Sequence, residues 1–194
     1  MKRYFTSDLH FFDEGIIWYC GRPYQSLEEM HDALRENFLE TVEESEDIYL
    51  LGDICTGLSA REERAPLSSV SLQEVMRSFG IERKNFYLFR GNHDLLPESC
   101  YLDAGFKSAP RRAEMEVGGY RALLCHDPAL AQSPDTLCIC GHVHRLFGEL
   151  YNPELNILVI NVGVDVRGYR PISEDEIADI ARKYNFKQDR VSAS

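Results

Sequence analysis

The chain is 194 residues long and 44% hydrophobic, enough to bury a core while staying within the usual size of one domain. Its net charge of −11 and pI near 5.0 oppose the counterion release by which proteins grip long nucleic-acid backbones, so a long polyanion is not an expected partner. The opening Met1-Lys2-Arg3 and the strand-like segment after it contain no apolar run suited to a signal peptide or membrane span, which predicts a cytoplasmic protein.

Five short apolar runs each stop at a polar cluster rather than at an ordinary turn, and each reads as a buried strand. The first, Tyr4-Phe5-Thr6-Ser7, precedes Asp8. Ser26 with Glu29 then forms a capping-box pattern, and Leu27, Met30, Leu34, Phe38 and Val42 follow at helical spacing, predicting a long amphipathic helix. The second run, Ile48-Tyr49-Leu50-Leu51, precedes Gly52-Asp53; residues 61–69 are polar and read as loop, and Ser71 to Phe79 as a second helix closed by Gly80. Phe86-Tyr87-Leu88-Phe89 precedes Arg90-Gly91-Asn92, and Val117-Gly118-Gly119-Tyr120 looks like a hairpin turn. Ala122-Leu123-Leu124-Cys125 precedes His126, and Thr136-Leu137-Cys138-Ile139-Cys140 precedes Gly141-His142. Ser173 with Glu176 opens a C-terminal helix to about Tyr184, and the polar tail over 186–194 is expected to fray. Residues 1–194 are thus expected to form a single domain.

The polar clusters are Asp8-Leu9-His10, Gly52-Asp53, Gly91-Asn92-His93-Asp94, His126 and Gly141-His142-Val143-His144, and they hold five of the six histidines. In open α/β sheets, ligands bind beyond the carboxyl ends of the strands, where these residues fall. Imidazole nitrogens mixed with carboxylate and amide oxygens suit manganese, iron, nickel or zinc rather than calcium.

The order and chemistry of these clusters, from Asp8 to His144, resemble the calcineurin-like metallophosphoesterase superfamily. Phe5-Thr6-Ser7-Asp8-Leu9-His10, Arg22-Pro23 and Asn161-Val162-Gly163-Val164-Asp165 are similar to a small bacterial and phage branch of it. The resemblance implies an α/β sandwich of two mixed β-sheets flanked by α-helices, holding two divalent transition-metal ions, with manganese favoured. Asp8, His10 and His144 would bind the first ion, Asn92, His126 and His142 the second, and Asp53 would bridge them. It further implies hydrolysis of a small phosphodiester through a metal-bound hydroxide, with His93 as general acid and Asp94 orienting it and raising its pKa. A phosphomonoesterase uses the same groups; a nuclease is disfavoured by the acidic balance. The alternative outside enzymology is a catalytically silent protein-binding scaffold of the same fold, which the retention of His93 and every ligand opposes. The expected partner is a small phosphorylated substrate, with nucleotides among the candidates, and the oligomeric state is left open.

Several residues have a plainer reading. Three of the six cysteines (Cys20, Cys55, Cys100, Cys125, Cys138 and Cys140) end or interrupt apolar runs, where buried reduced thiols are common. Strand alternation turns Cys138 and Cys140 the same way, into the core rather than onto zinc. His31, on the apolar face of the first helix, is expected to pack or hydrogen-bond. Trp18, Tyr19, Arg22 and Tyr24 form a candidate substrate wall with Arg22 on phosphate, although loop packing serves equally. Phe11-Phe12-Asp13 departs from the Phe-Gly-His of the resembling branch, which marks Asp13 as a candidate substrate contact.

Overall fold

A computed structural model describes residues 2–55 and 69–188. Residues 61–68 of the loop expected over 61–69, and the last residues of the expected tail, 189–194, lie outside that range, while Ser69 begins a helix instead.

The chain runs β1 (Arg3–Thr6), α1 (Glu14–Tyr19), α2 (Leu27–Thr41), β2 (Asp47–Leu50), α3 (Ser69–Ser78), β3 (Asn85–Leu88), α4 (Glu98–Asp103), β4 (Arg112–Val117) and β5 (Tyr120–Cys125). It continues with β6 (Leu137–Cys140), β7 (Glu149–Asn152), β8 (Ile157–Asn161), β9 (Ile172–Ser173) and α5 (Glu174–Lys183). One sheet has the order β3-β2-β1-β9, with β9 antiparallel to β1 and the other pairs parallel. The second has the order β4-β5-β6-β8-β7, parallel at its centre and antiparallel at both edges. This is the two-sheet α/β architecture that the motif order implies.

Period-two alternation divides the first sheet between two cores. Tyr4, Ile48, Leu50, Phe86 and Leu88 pack on Met30, Leu34 and Phe38 of α2 and Leu72 and Met76 of α3. Their neighbours Phe5, Tyr49, Leu51 and Phe89 face Leu124, Leu137, Ile139, Leu158 and Ile160 of the second sheet. Cys138 and Cys140 do share one face, but it is the outer face of the second sheet, where they pack with Cys125, Ile157 and Val159 as free thiols.

The helix starts follow local chemistry. The Ser173 hydroxyl accepts the Glu176 N–H and the Glu176 carboxylate accepts the Ser173 N–H, completing the box that opens α5. At α2 Ser26 accepts from Glu29, whereas the Glu29 carboxylate reaches the N–H of Gln25, one residue before the cap. The turn between β4 and β5 places Gly118 and Gly119 at φ 59° and 84°, as a two-residue I′ turn requires.

α1, α4, β7 and β8 have no counterpart in the elements expected from sequence. No described helix is long and apolar enough to cross a membrane. Leu34 is buried between α2 and the first sheet, so Leu34→Ala should remove roughly 2–5 kcal/mol of stability, read as a lower urea midpoint with unchanged slope.

Candidate metal centre

The carboxyl ends of β1, β2 and β3 in one sheet meet those of β5, β6 and β8 in the other. An isolated parallel bridge joins Ser7 to Gly163, and the Val164 N–H donates to Ser7 O at 3.1 Å, tying the two ends together, while the Ser7 hydroxyl donates to Leu51 O at 2.7 Å within its own sheet. The approach leaves no room for a side chain at Gly141, where a Cβ would lie 1.9 Å from Ser7 Oγ and 2.5 Å from Asp8 Oδ2.

Asp8, His10, Asp53, His142 and His144 have φ of 59°, 53°, 54°, 73° and 45°, so five of the residues expected as ligands are left-handed. Such a backbone costs on the order of 1–3 kcal/mol per non-glycine residue and persists only where its surroundings over-determine it. Here it follows the expected ligands: both members of Asp8-X-His10 and both of His142-X-His144 adopt it, and Leu9 between the first two is buried in the helix-side core.

Two sets of donor atoms made of the expected ligands result, beside a third group formed by Cys20, His144 and Asp165. Ligand atoms of Asp8, His10 and His144 lie within 4.8 Å of one another, as do those of Asp53, His126 and His142. Asn92 joins the second set, its Oδ1 standing 3.0 Å from His126 Nε2 and 2.9 Å from His142 Nδ1. Asp53 Oδ2 is 3.1 Å from His126 Nε2 and 3.7 Å from His10 Nε2, between the two sets.

The tautomers follow from the outer partners. His126 Nδ1 is 2.7 Å from Leu51 O and His144 Nδ1 is 2.9 Å from Asp165 Oδ2; both oxygens only accept, so each Nδ1 carries the proton. Neutral His126 therefore aims a lone pair from Nε2 at the acceptor oxygens of Asn92 and Asp53. His10 is buried with neither ring nitrogen hydrogen-bonded. Converging acceptors and an orphaned buried imidazole are the pattern that divalent ions satisfy, and the N/O donor set fits transition metals.

Two charged residues do other work than their sequence context suggests. Asp94 is not turned to the His93 ring: its buried carboxylate accepts the N–H groups of Gly91 and Asp53 at 2.8 Å and of Ile54 at 3.2 Å. It fastens the two loops that carry Asn92 and Asp53. Arg22 does not reach substrate space either. Its guanidinium is wholly buried, paired with Asp165 at 2.9 and 3.0 Å, and donates to the carbonyls of Asp8 and Leu9 at 2.7 and 3.0 Å. Asp165 is the supporting residue that sequence reasoning left without a role; the only signal for it was its place in the Asn161–Asp165 segment.

An open cleft of about 530 Å³ is lined by His10, Asp53, Asn92, His93, His142 and His144, with Asp13, Gly15, Ile16 and Tyr19 alongside. His93 is exposed, and its N–H donates to Asp53 Oδ1 at 2.9 Å. Asp13 approaches His10 Nδ1 to 3.4 Å. Of the candidate wall, Tyr19 lines the cleft, while Tyr24 packs on Tyr169. His31 accepts the Phe12 N–H at 3.0 Å, the hydrogen-bonding role expected of it. A larger groove of about 1040 Å³ beside the Gly118-Gly119 turn contains no histidine.

The calcineurin-like phosphoesterase superfamily domain matches residues 1–176. The chain belongs to that superfamily. It is 29% identical over 187 residues to the uncharacterized protein MJ1445 of Methanocaldococcus jannaschii, covering 94% of this chain and 92% of the other. Its fold is similar to that of a protein of unknown function, AQ665, from Aquifex aeolicus, with TM-score 0.66, 25% identity, and 92% and 98% of the two chains covered. A more distant likeness, TM-score 0.47 and 18% identity over 83% of this chain and 78% of the other, is to YfcE, a phosphoesterase from E. coli.

For this calcineurin-like phosphoesterase domain, the metal-free charge state follows from the contacts above. Burial lowers the pKa of His126, but its hydrogen bond to Asp53 and the charge of Asp8 outweigh that and leave it at about 9. Burial likewise lowers His144, while Asp165, the Cys20 thiol and Asp8 carry it up to about 10. Burial raises Asp53 and Asp165, but their histidine partners, and Arg22 for Asp165, bring both below the ordinary value.

A histidine raised on folding stabilises below its unfolded pKa, here 6.5, and that contribution disappears as pH rises through the folded value. Chelator-treated protein should therefore lose stability between pH 6.5 and about 10, measured by urea unfolding across that range. A metal that takes the same nitrogens must displace these protons, so adding Mn²⁺ at neutral pH should release acid into weakly buffered solution.

Proposed function

We propose that this chain is a single-domain cytoplasmic hydrolase that cleaves a small phosphodiester at a dinuclear divalent metal centre, manganese being the favoured ion. The observation that carries this reading is the convergence of His126 Nε2, Asn92 Oδ1, His142 Nδ1 and Asp53 Oδ2 on one point, with Asp53 also facing the unsatisfied His10. Asp8, His10 and His144 would hold one ion and Asn92, His126 and His142 the other, with Asp53 available to both. When bound, the ions offset charge on the phosphoryl oxygens and lower the pKa of a water so that a nucleophile exists at neutral pH.

The chain's own residues do the rest. Leu51 O and Asp165 hold the protons of His126 and His144 on Nδ1 and so direct each Nε2 inward. The Asp53 carboxylate fixes the His93 backbone, leaving the imidazole at the cleft wall to donate a proton to the departing oxygen. A diester is favoured over a monoester because it carries one negative charge fewer, and no lysine or arginine is among the described residues lining the cleft. Six free thiols support a reducing compartment.

Asp53→Asn should lower occupancy of both ions, measured by elemental analysis of protein reconstituted with Mn²⁺; full occupancy at both would refute the bridge. His93→Ala should keep both ions, yet slow an ester with an alkoxide leaving group by roughly 100-fold or more and a nitrophenyl ester much less, since nitrophenolate departs without a proton. Equal losses on the two esters would remove His93 from acid catalysis. Metal-loaded wild-type protein that cleaves no activated mono- or diester over a broad pH range would leave the scaffold reading in its place.

A further inference from the structure

Two chemically different groups of residues line the cleft: His10, Asp53, Asn92, His93, His142 and His144, and beside them Gly15, Ile16 and Tyr19 of α1. Tyr19 is 85% exposed, as Trp18 beside it is 79% exposed, an expensive way to present aromatic surface to water unless something covers it.

The tyrosine is not on a mobile tip. Ile16 and Ile17 anchor α1 in the core, the Arg22 N–H bonds Ile17 O at 2.8 Å, and the Arg22 side chain is locked to Asp165. The ring's backbone is thus held from both sides at a fixed place on the cleft wall. A volume of about 530 Å³ matches a small molecule, not a polymer.

We infer that the substrate is a nucleoside phosphodiester whose base stacks on Tyr19 while its phosphate lies at the histidine cluster. This rests on the phosphodiesterase reading above and adds the chemical class of the ester. A flat aromatic group stacks on tyrosine whatever its edge pattern, so the site selects for a base without selecting strongly among bases. A nucleoside polyphosphate fits poorly, because the described residues lining the cleft include no lysine or arginine to meet added phosphates.

The test uses manganese-loaded full-length protein and two matched esters, adenosine 5′-(methyl phosphate) and the same ribose ester without the base. Wild type should prefer the adenosine ester in kcat/KM by roughly 5- to 100-fold, mainly through KM. That ratio should fall toward one in Tyr19→Ala and persist in Tyr19→Phe, which keeps the ring and removes only the hydroxyl. Equal kcat/KM for the two esters in wild type, or an undiminished ratio in Tyr19→Ala, would overturn the stacking.

Calorimetric binding of adenosine 5′-monophosphate against ribose 5-phosphate reads the same contact without turnover. Tighter adenosine binding that depends on Tyr19, in protein that cleaves neither ester, would sink the phosphodiesterase reading and leave the base site standing. Hydrolysis of both esters with no base preference in rate or binding would do the reverse.

Discussion

Acceptor atoms crowded against one another at the joined ends of two sheets are the constraint on which the rest of this structure depends. His126 Nε2, Asn92 Oδ1 and Asp53 Oδ2 stand within hydrogen-bonding distance with no proton between them in the neutral tautomer that Leu51 O selects for His126, and His142 Nδ1 lies 2.9 Å from the same Asn92 oxygen. Lone pairs facing lone pairs in a partly dry site are unfavourable unless a cation stands among them. In the metal-free molecule a proton takes that place: His126 is driven to about 9 by Asp53 and Asp8 despite burial that opposes its charge, and His144 reaches about 10 through its own partners, Asp165, the Cys20 thiol and Asp8. Protons and metal ions thus compete for the same nitrogens.

Holding such a constellation requires a backbone that no single strand would adopt alone. Left-handed φ values at Asp8, His10, Asp53, His142 and His144 are stabilised by bonds from outside their own segments. Gly52 O and Asp53 O accept the Asp8 and His10 N–H groups, the Asp8 carboxylate accepts the His142 N–H, and Arg22 caps the Asp8 and Leu9 carbonyls. Asp94 supports the Gly52–Ile54 turn and Gly91 in the same way. Two residues that look like reagents, Arg22 and Asp94, are therefore buttresses, their polar groups spent on the backbone beneath the site. The Arg22-Asp165-His144 chain also links the first-ion set to the segment after β8, so both sheets contribute to one ligand's orientation.

The cleft above this floor is chemically mixed. Imidazoles and carboxylates line it together with an exposed tyrosine on a buried-anchored helix, while the Arg22 guanidinium beneath it is turned inward. An overall charge of −11 extends the same preference to the whole surface, favouring ligands of low negative charge.

The amino-acid sequence by itself marked five of the strands that lead to the site and the α2 and α5 starts, while its resemblance to the superfamily supplied the seven residues proposed as ligands. Each is a local signal: an apolar run ending in a polar group, or a Ser-X-X-Glu box. It was silent on α1, where Gly15 and the β-branched Ile16 and Ile17 weaken helical propensity. It was silent too on β8, whose apolar run is legible only at its polar end, Asn161. Only the tertiary structure decided that Asp53 lies between two donor sets, that Asp94 turns from His93 to three backbone N–H groups, and that Arg22 meets Asp165 instead of substrate. Arg22 and Asp165 are 143 residues apart, and Asp94 and Asp53 are 41 apart. The direction of a charged side chain is set by whichever distant dipole the fold brings within reach, and no local pattern of residues carries that information.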